Sequence, residues 1–209
     1  MDVVIAGAGP AGLLLALRLA RDGAHVIVIE PRDHPRERLG KASDKTYEIV
    51  LGDRGTAQLY RAGVLAHKVL PEYLGSVIHS TRGVRVRRTV KQLPHTVYGT
   101  RDQISLAILS EIEKRSPEDP GGSVKFHWGF SIGQLPGDID LAGRTVTARP
   151  VPWAKSRTQE KKEKKKGTTD DSIRLKYDLL VGYEHTGKWE TRILAVPITV
   201  ISKRLYLRG

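Results

Sequence analysis

Apolar residues along this chain fall into short runs divided by polar and glycine-rich breaks, and two spacings alternate among them. Val3-Val4-Ile5-Ala6 and His25-Val26-Ile27-Val28-Ile29 are short, nearly continuous and β-branched, the pattern of strands buried on both faces of a parallel sheet. Between them Leu13, Leu17 and Ala20 recur at helical spacing. Pro10 suits a first helical turn, where its missing N–H costs nothing, and Gly23 supplies the stop. Charge and two prolines make residues 31–45 read as a loop, and residues 47–51 as a strand. Residues 53–62 read as a helix capped by Asp53 and ended by Gly63. Residues 77–80 and 84–90 predict a hairpin turning at Arg82-Gly83, and the alternation Val84-Arg85-Val86-Arg87 predicts a half-exposed strand with a basic outer face. Ile104, Ala107, Ile108, Glu111 and Ile112 put a second long helix over 101–114, ended by the segment 117–122. Strands are expected at 124–128 and 145–151, with a turn region at 137–143. A single buried strand is expected at 174–182, and residues 190–201 are β-branched but carry Pro197.

Strand–helix–strand first, then mixed strands and helices, predicts an α/β dinucleotide fold with an inserted β layer. The length of 209 residues suffices for one good core and a small satellite layer. The absence of cysteine removes disulfides, thiolate metal sites and cysteine nucleophiles, and no metal site is expected. Only Met1 and Asp2 precede the first strand, so no leader peptide is expected. The apolar stretch 193–201 is far too short to span a bilayer. These features set the expectation of a soluble, cytoplasmic protein without a membrane span. The net charge of +12 is uneven: residues 155–166 (KSRTQEKKEKKK) alone hold seven basic and two acidic residues. That run lacks aromatics and apolar periodicity, so it reads as a solvated insertion over 154–171, and no specific nucleic-acid partner is expected. The cluster Arg82, Arg85, Arg87 and Arg88 is read the same way, as a solvated edge strand.

The chemistry lies in Gly7-Ala8-Gly9-Pro10-Ala11-Gly12, a G-x-G-x-x-G pattern that follows a strand, opens a helix and is answered by Glu30 at the end of the next strand. Gly7 permits the tight turn, Gly9 lets a pyrophosphate approach the backbone without meeting a Cβ, and Gly12 allows close packing of the helix. The helix N-terminus offers free N–H groups and a positive dipole end to phosphates. The Glu30 carboxylate can accept hydrogen bonds from ribose hydroxyls. An adenine dinucleotide is the expected ligand.

Four stretches resemble the flavin-dependent aromatic hydroxylases of the para-hydroxybenzoate hydroxylase type, most of all their kynurenine 3-monooxygenase branch. They are the N-terminal VVIAGAGPAGLLLALRLARDGAHVIVIEPR, then YEIVLGDRGTAQL, then the helix from Arg101 to Leu109, and Val124-Lys125-Phe126-His127-Trp128 leading to Ile132. The resemblance covers residues 2 to about 182. It implies a Rossmann-like FAD-binding domain over 1–182 with an incomplete substrate domain, followed by a divergent tail over 183–209. It further implies that Gly7, Ala8, Gly9, Pro10, Ala11, Gly12, Glu30, Arg32, Arg101 and Ile132 face FAD. Arg101 is the arginine that touches FAD in the family, and Ile132 is the position whose backbone lies beside the adenine.

What the resemblance implies as activity is the hydroxylation of a small aromatic substrate, with NADPH as the electron donor. Two positions depart from the family. Its Gly-x-Asp-Gly motif is answered here by Gly182-Tyr183-Glu184-His185, and its substrate-binding arginine by Ser76. No catalytic acid or base can be assigned, and the segments that enclose the isoalloxazine are not present, so the chain is expected to lack the catalytic C-terminal half. Two other classes remain open: an NAD-dependent Rossmann reductase, and a non-enzymatic interaction protein acting through its basic loop.

Overall fold

The computed structural model of the chain describes residues 1–39, 47–88, 96–115, 121–152, 171–185 and 191–193. In chain order the first elements are β1 (Asp2–Ala6), α1 (Pro10–Arg21), β2 (His25–Glu30), α2 (Pro35–Arg38), β3 (Glu48–Leu51) and α3 (Asp53–Arg61). A 3-10 turn (Ala66–Lys68) leads to β4 (Gly75–Ser80), β5 (Gly83–Arg88), β6 (Val97–Thr100) and α4 (Arg101–Glu113). The remaining strands are β7 (Val124–Trp128), β8 (Phe130–Ile132), β9 (Ile139–Asp140), β10 (Thr145–Pro150), β11 (Ile173–Lys176), β12 (Leu179–Val181), β13 (Tyr183–His185) and β14 (Thr191–Ile193). The chain forms two compact units, one of Met1–Ala8, Leu19–Asp33 and Pro120–Gly209, the other of Gly9–Arg18 and His34–Asp119.

The first unit holds a parallel sheet in the order β12-β1-β2-β7. Val4 of β1 lies opposite Ile27 of β2 and Leu180 of β12, and Val28 lies opposite Phe126 of β7. Val3, Val4 and Ile5 are each at most 2% exposed, which explains why β1 reads as an unbroken apolar run. In the same unit β10 pairs antiparallel with β11, β8 and β9. Val4, Ile29 and Leu180 from the parallel sheet share one core with Val146, Ala148 and Tyr177, and Ile132 and Leu175 pack against it. This second sheet is the expected β layer. β13 and β14 form a short antiparallel pair.

The second unit contains the antiparallel pair β3–β6, the hairpin β4–β5, α2, α3 and α4. The expected hairpin forms, but its turn is Thr81-Arg82, one residue before the expected Arg82-Gly83, with Ser80 opposite Gly83 and His79 opposite Val84. Val77 and Val84 are 56% and 60% exposed, so the face expected to be buried is open among the described residues.

Three further expectations are corrected. Residues 174–182 are not one buried strand. β11 ends at Lys176 and β12 begins at Leu179, because Tyr177 and Asp178 carry the chain from the antiparallel sheet to the parallel one. Their backbone is tied there by Tyr177 N–H to Arg144 C=O (3.0 Å) and Asp178 N–H to Asp2 C=O (2.8 Å). Asp53 is not the cap of α3: Gly52 holds that position without a side-chain bond, and Asp53 lies in the first turn, where its charge favours the helix dipole. The loop at 31–45 contains α2, whose His34 accepts from the Arg36 N–H. β6 was not anticipated, since four residues containing a glycine carry little periodic signal and only pairing with β3 defines it. The Lys-rich insertion, apart from Asp171, lies outside the described residues, as do residues 117–120 of the helix stop and residues 186–190 and 194–209 of the tail. Among the described residues no helix is long and apolar enough to cross a membrane.

Candidate functional site

β1 ends in a turn that only glycine enters easily, since Gly7 has φ +109°. Its N–H donates to Ile29 C=O (2.7 Å), tying the turn to the end of β2. One residue on, the Ala8 N–H donates to Glu30 Oε2 (2.7 Å). Glu30 is 3% exposed, and its Oε1 accepts from both the backbone N–H (3.2 Å) and Nε (2.6 Å) of Arg32. Burial pushes this carboxyl up, but the Arg32 hydrogen bond and charge, with the Ala8 and Arg32 N–H groups, outweigh it and hold the group below its usual range. Glu30 is therefore an ionised, immobilised acceptor at the carboxyl end of a parallel strand, where open α/β sheets bind their ligands. An ionised carboxylate has about four acceptor positions, which leaves room for a hydroxyl donor beside the three bonds present.

The second unit brings a cationic side chain to the start of α1. The hydrogen-bond ladder of α1 begins with Leu13 N–H to Gly9 C=O (2.9 Å), so the amides of Ala11 and Gly12 precede it. The first turn of α1 contains no acidic residue. Arg101, the first residue of α4, lays its guanidinium over Gly9: a Cβ on Gly9 would lie 2.6 Å from Arg101 Nη2. The Arg101 side chain thus occupies the space that the glycine leaves open. A cation there meets the positive end of α1 and opens α4 as well, an arrangement that an anion would relieve on both counts.

α4 is placed by a reciprocal cap, with Gln103 N–H donating to Thr100 Oγ1 (3.2 Å) and Thr100 N–H to Gln103 Oε1 (2.8 Å). The Thr100-x-x-Gln103 spacing carries the sequence signature of this cap, which the helical periodicity alone does not show. Arg38 of α2 pairs with Asp102 of the same first turn (2.9 Å), a contact with no local sequence signal.

Arg32 fastens Glu30, and Ile132 ends β8 opposite Ala148, its side chain against the buried core. Gly182 follows β12, where a Cβ would touch the Ala6 Cβ at 3.4 Å, and Ser76 lies in β4.

Residues 1–95 match the family described as FAD binding domain. The chain is 33% identical over 165 residues to a kynurenine 3-monooxygenase of Salinispora tropica, covering 70% of this chain and 34% of the relative. It is 30% identical over 195 residues to one of Cryptococcus neoformans, covering 90% of this chain and 36% of the relative. Among solved structures it resembles a p-nitrophenol 4-monooxygenase of Pseudomonas putida (TM-score 0.54, 20% identity, 86% of this chain and 40% of that one). A flavoprotein/dehydrogenase of Cytophaga hutchinsonii is also similar (TM-score 0.59, 16% identity, 87% and 39%). At such identities these likenesses speak for the fold alone. The chain thus spans about a third of the length of the curated relatives it matches. The glycine turn and the acid-ended strand lie within residues 1–95, which match an FAD-binding domain, in a chain that is similar over most of its own length to kynurenine 3-monooxygenases.

Proposed function

We propose that Gly7, Ala8, Gly9, Pro10, Ala11, Gly12, Glu30, Arg32, Arg101 and Ile132 hold the adenosine and pyrophosphate of FAD, and that the chain supplies the flavin-binding part of an NADPH-dependent hydroxylase of small aromatic compounds. The observation that carries this reading is the Arg101 guanidinium against Gly9, a cation brought to the glycine turn at the start of α1. The donor set suits the group: free helix amides and Arg101 for the pyrophosphate, and the ionised Glu30 for ribose hydroxyls. When bound, FAD supplies the redox chemistry, taking electrons from a nicotinamide and delivering them to dioxygen. The residues of this chain bind and orient it. Glu30 accepts, Arg32 keeps Glu30 ionised and aimed, and the amides before the α1 ladder and Arg101 neutralise phosphate charge.

The activity follows the name of the sequence relatives, kynurenine 3-monooxygenases. A titration of the purified chain with FAD, followed by flavin fluorescence and thermal shift, tests the binding part. Saturable binding is expected, and Arg101→Gln should weaken it by about tenfold or more, the loss of one charge-assisted bond. Tighter binding of NADH than of FAD would replace this reading with a reductase. Aromatic-stimulated NADPH oxidation, with formation of hydroxylated product, tests the activity itself.

A further inference from the structure

Resting on the reading that FAD's pyrophosphate meets Gly9 and Arg101, we infer that Arg38 is a positioning residue for that site, acting through Asp102. Arg101 and Asp102 are the first two residues of α4, so a carboxylate shares the first turn with the cation assigned to the phosphates. Left alone, that carboxylate would cancel much of the Arg101 potential and repel the ligand. It is not left alone. Arg38 Nη2 lies 2.9 Å from Asp102 Oδ1, with the two side chains only 17% and 27% exposed. The three guanidinium nitrogens of Arg38 are shielded from water, so the pairing is weakly screened.

The same α2 segment grips the other end of α4. Arg36 pairs with Glu113, and His34 Nε2 lies 3.8 Å from it. α2 is thus a strap along α4 that sets the axial position of the helix, while Arg38 neutralises the one acid of its first turn. The cap formed by Thr100 and Gln103 orders the backbone of that turn but leaves the Asp102 charge untouched.

The test is FAD affinity of the full chain across a small set of variants, with apoprotein circular dichroism and thermal melting beside it. Arg38→Leu should weaken FAD by about tenfold, a coupling of ordinary size for charges in one network. Adding Asp102→Asn to Arg38→Leu should restore most of that affinity, because the unneutralised carboxylate is gone. Arg38→Lys, which keeps the charge, should stay within about twofold of the parent. If the double variant binds as poorly as Arg38→Leu, the effect is mere loss of structure and the inference fails. If Arg38→Leu binds FAD as tightly as the parent, it fails as well, with the FAD reading intact. If the parent chain binds no FAD, that reading falls and takes this one with it.

Discussion

β1 and the β4–β5 hairpin are built from the same kind of residue and meet opposite fates. Val3, Val4 and Ile5 are buried on both faces between parallel neighbours, whereas Val77 and Val84 are more than half exposed in a two-stranded ribbon. β-propensity is equal in the two; what differs is the number of layers laid over them. A strand in the middle of a sheet gains from every apolar side chain, while among the described residues nothing covers Val77 and Val84 of the two-stranded hairpin. Stability should therefore be concentrated in the parallel sheet, and the same substitution should read differently in the two places.

The largest contrast comes from truncating the core. Ile5→Ala should cost about 2–5 kcal/mol in urea denaturation, the usual loss for a buried aliphatic side chain with a residual cavity. An Ile5→Ala variant as stable as the parent would break the comparison. Next in size, Glu30→Gln should cost about 1–3 kcal/mol near neutral pH, through loss of a charged acceptor in a buried site. Its pH dependence has a definite sign. The folded-state pKa of Glu30 is depressed, so its contribution is fully present above the ordinary carboxylate range and is lost as pH falls through the depressed value. The gap between parent and Glu30→Gln should thus close in acid, and a gap that widens there would contradict the arrangement around Glu30. The smallest effect belongs to the hairpin. Val77→Thr and Val84→Thr should each stay within about 0.5 kcal/mol of the parent, as exposed substitutions do. A cost approaching that of Ile5→Ala would mean that the hairpin face is covered after all.

The glycine turn, α1 and the acid-ended β2 were legible because each rests on short-range chemistry. Gly7 needs a positive φ, Pro10 suits a first helical turn, and Glu30 ends an apolar run. The boundary between β11 and β12 was not legible, since residues 174–182 read as one strand and only the neighbouring strands divide it. β6 failed for the same reason. The cap of α3 was misplaced by one residue because Asp is favoured both at the cap and in the first turn. Within the site, Arg101 was found through its resemblance to a known helix, but its position over Gly9 and the pairing of its neighbour Asp102 with Arg38 were not.

The amino-acid sequence by itself determined the strand–turn–helix–strand unit, the phosphate-binding character of its turn and the acid that answers it. Those properties depend on backbone freedom, helix dipoles and periodicity within some thirty residues. Only the tertiary structure decided which apolar strands are covered, that Glu30 is spent partly on Ala8 and Arg32, and that α2 reaches α4. Apart from the local Glu30–Arg32 bond, these are contacts between segments separated along the chain, set by packing and pairing.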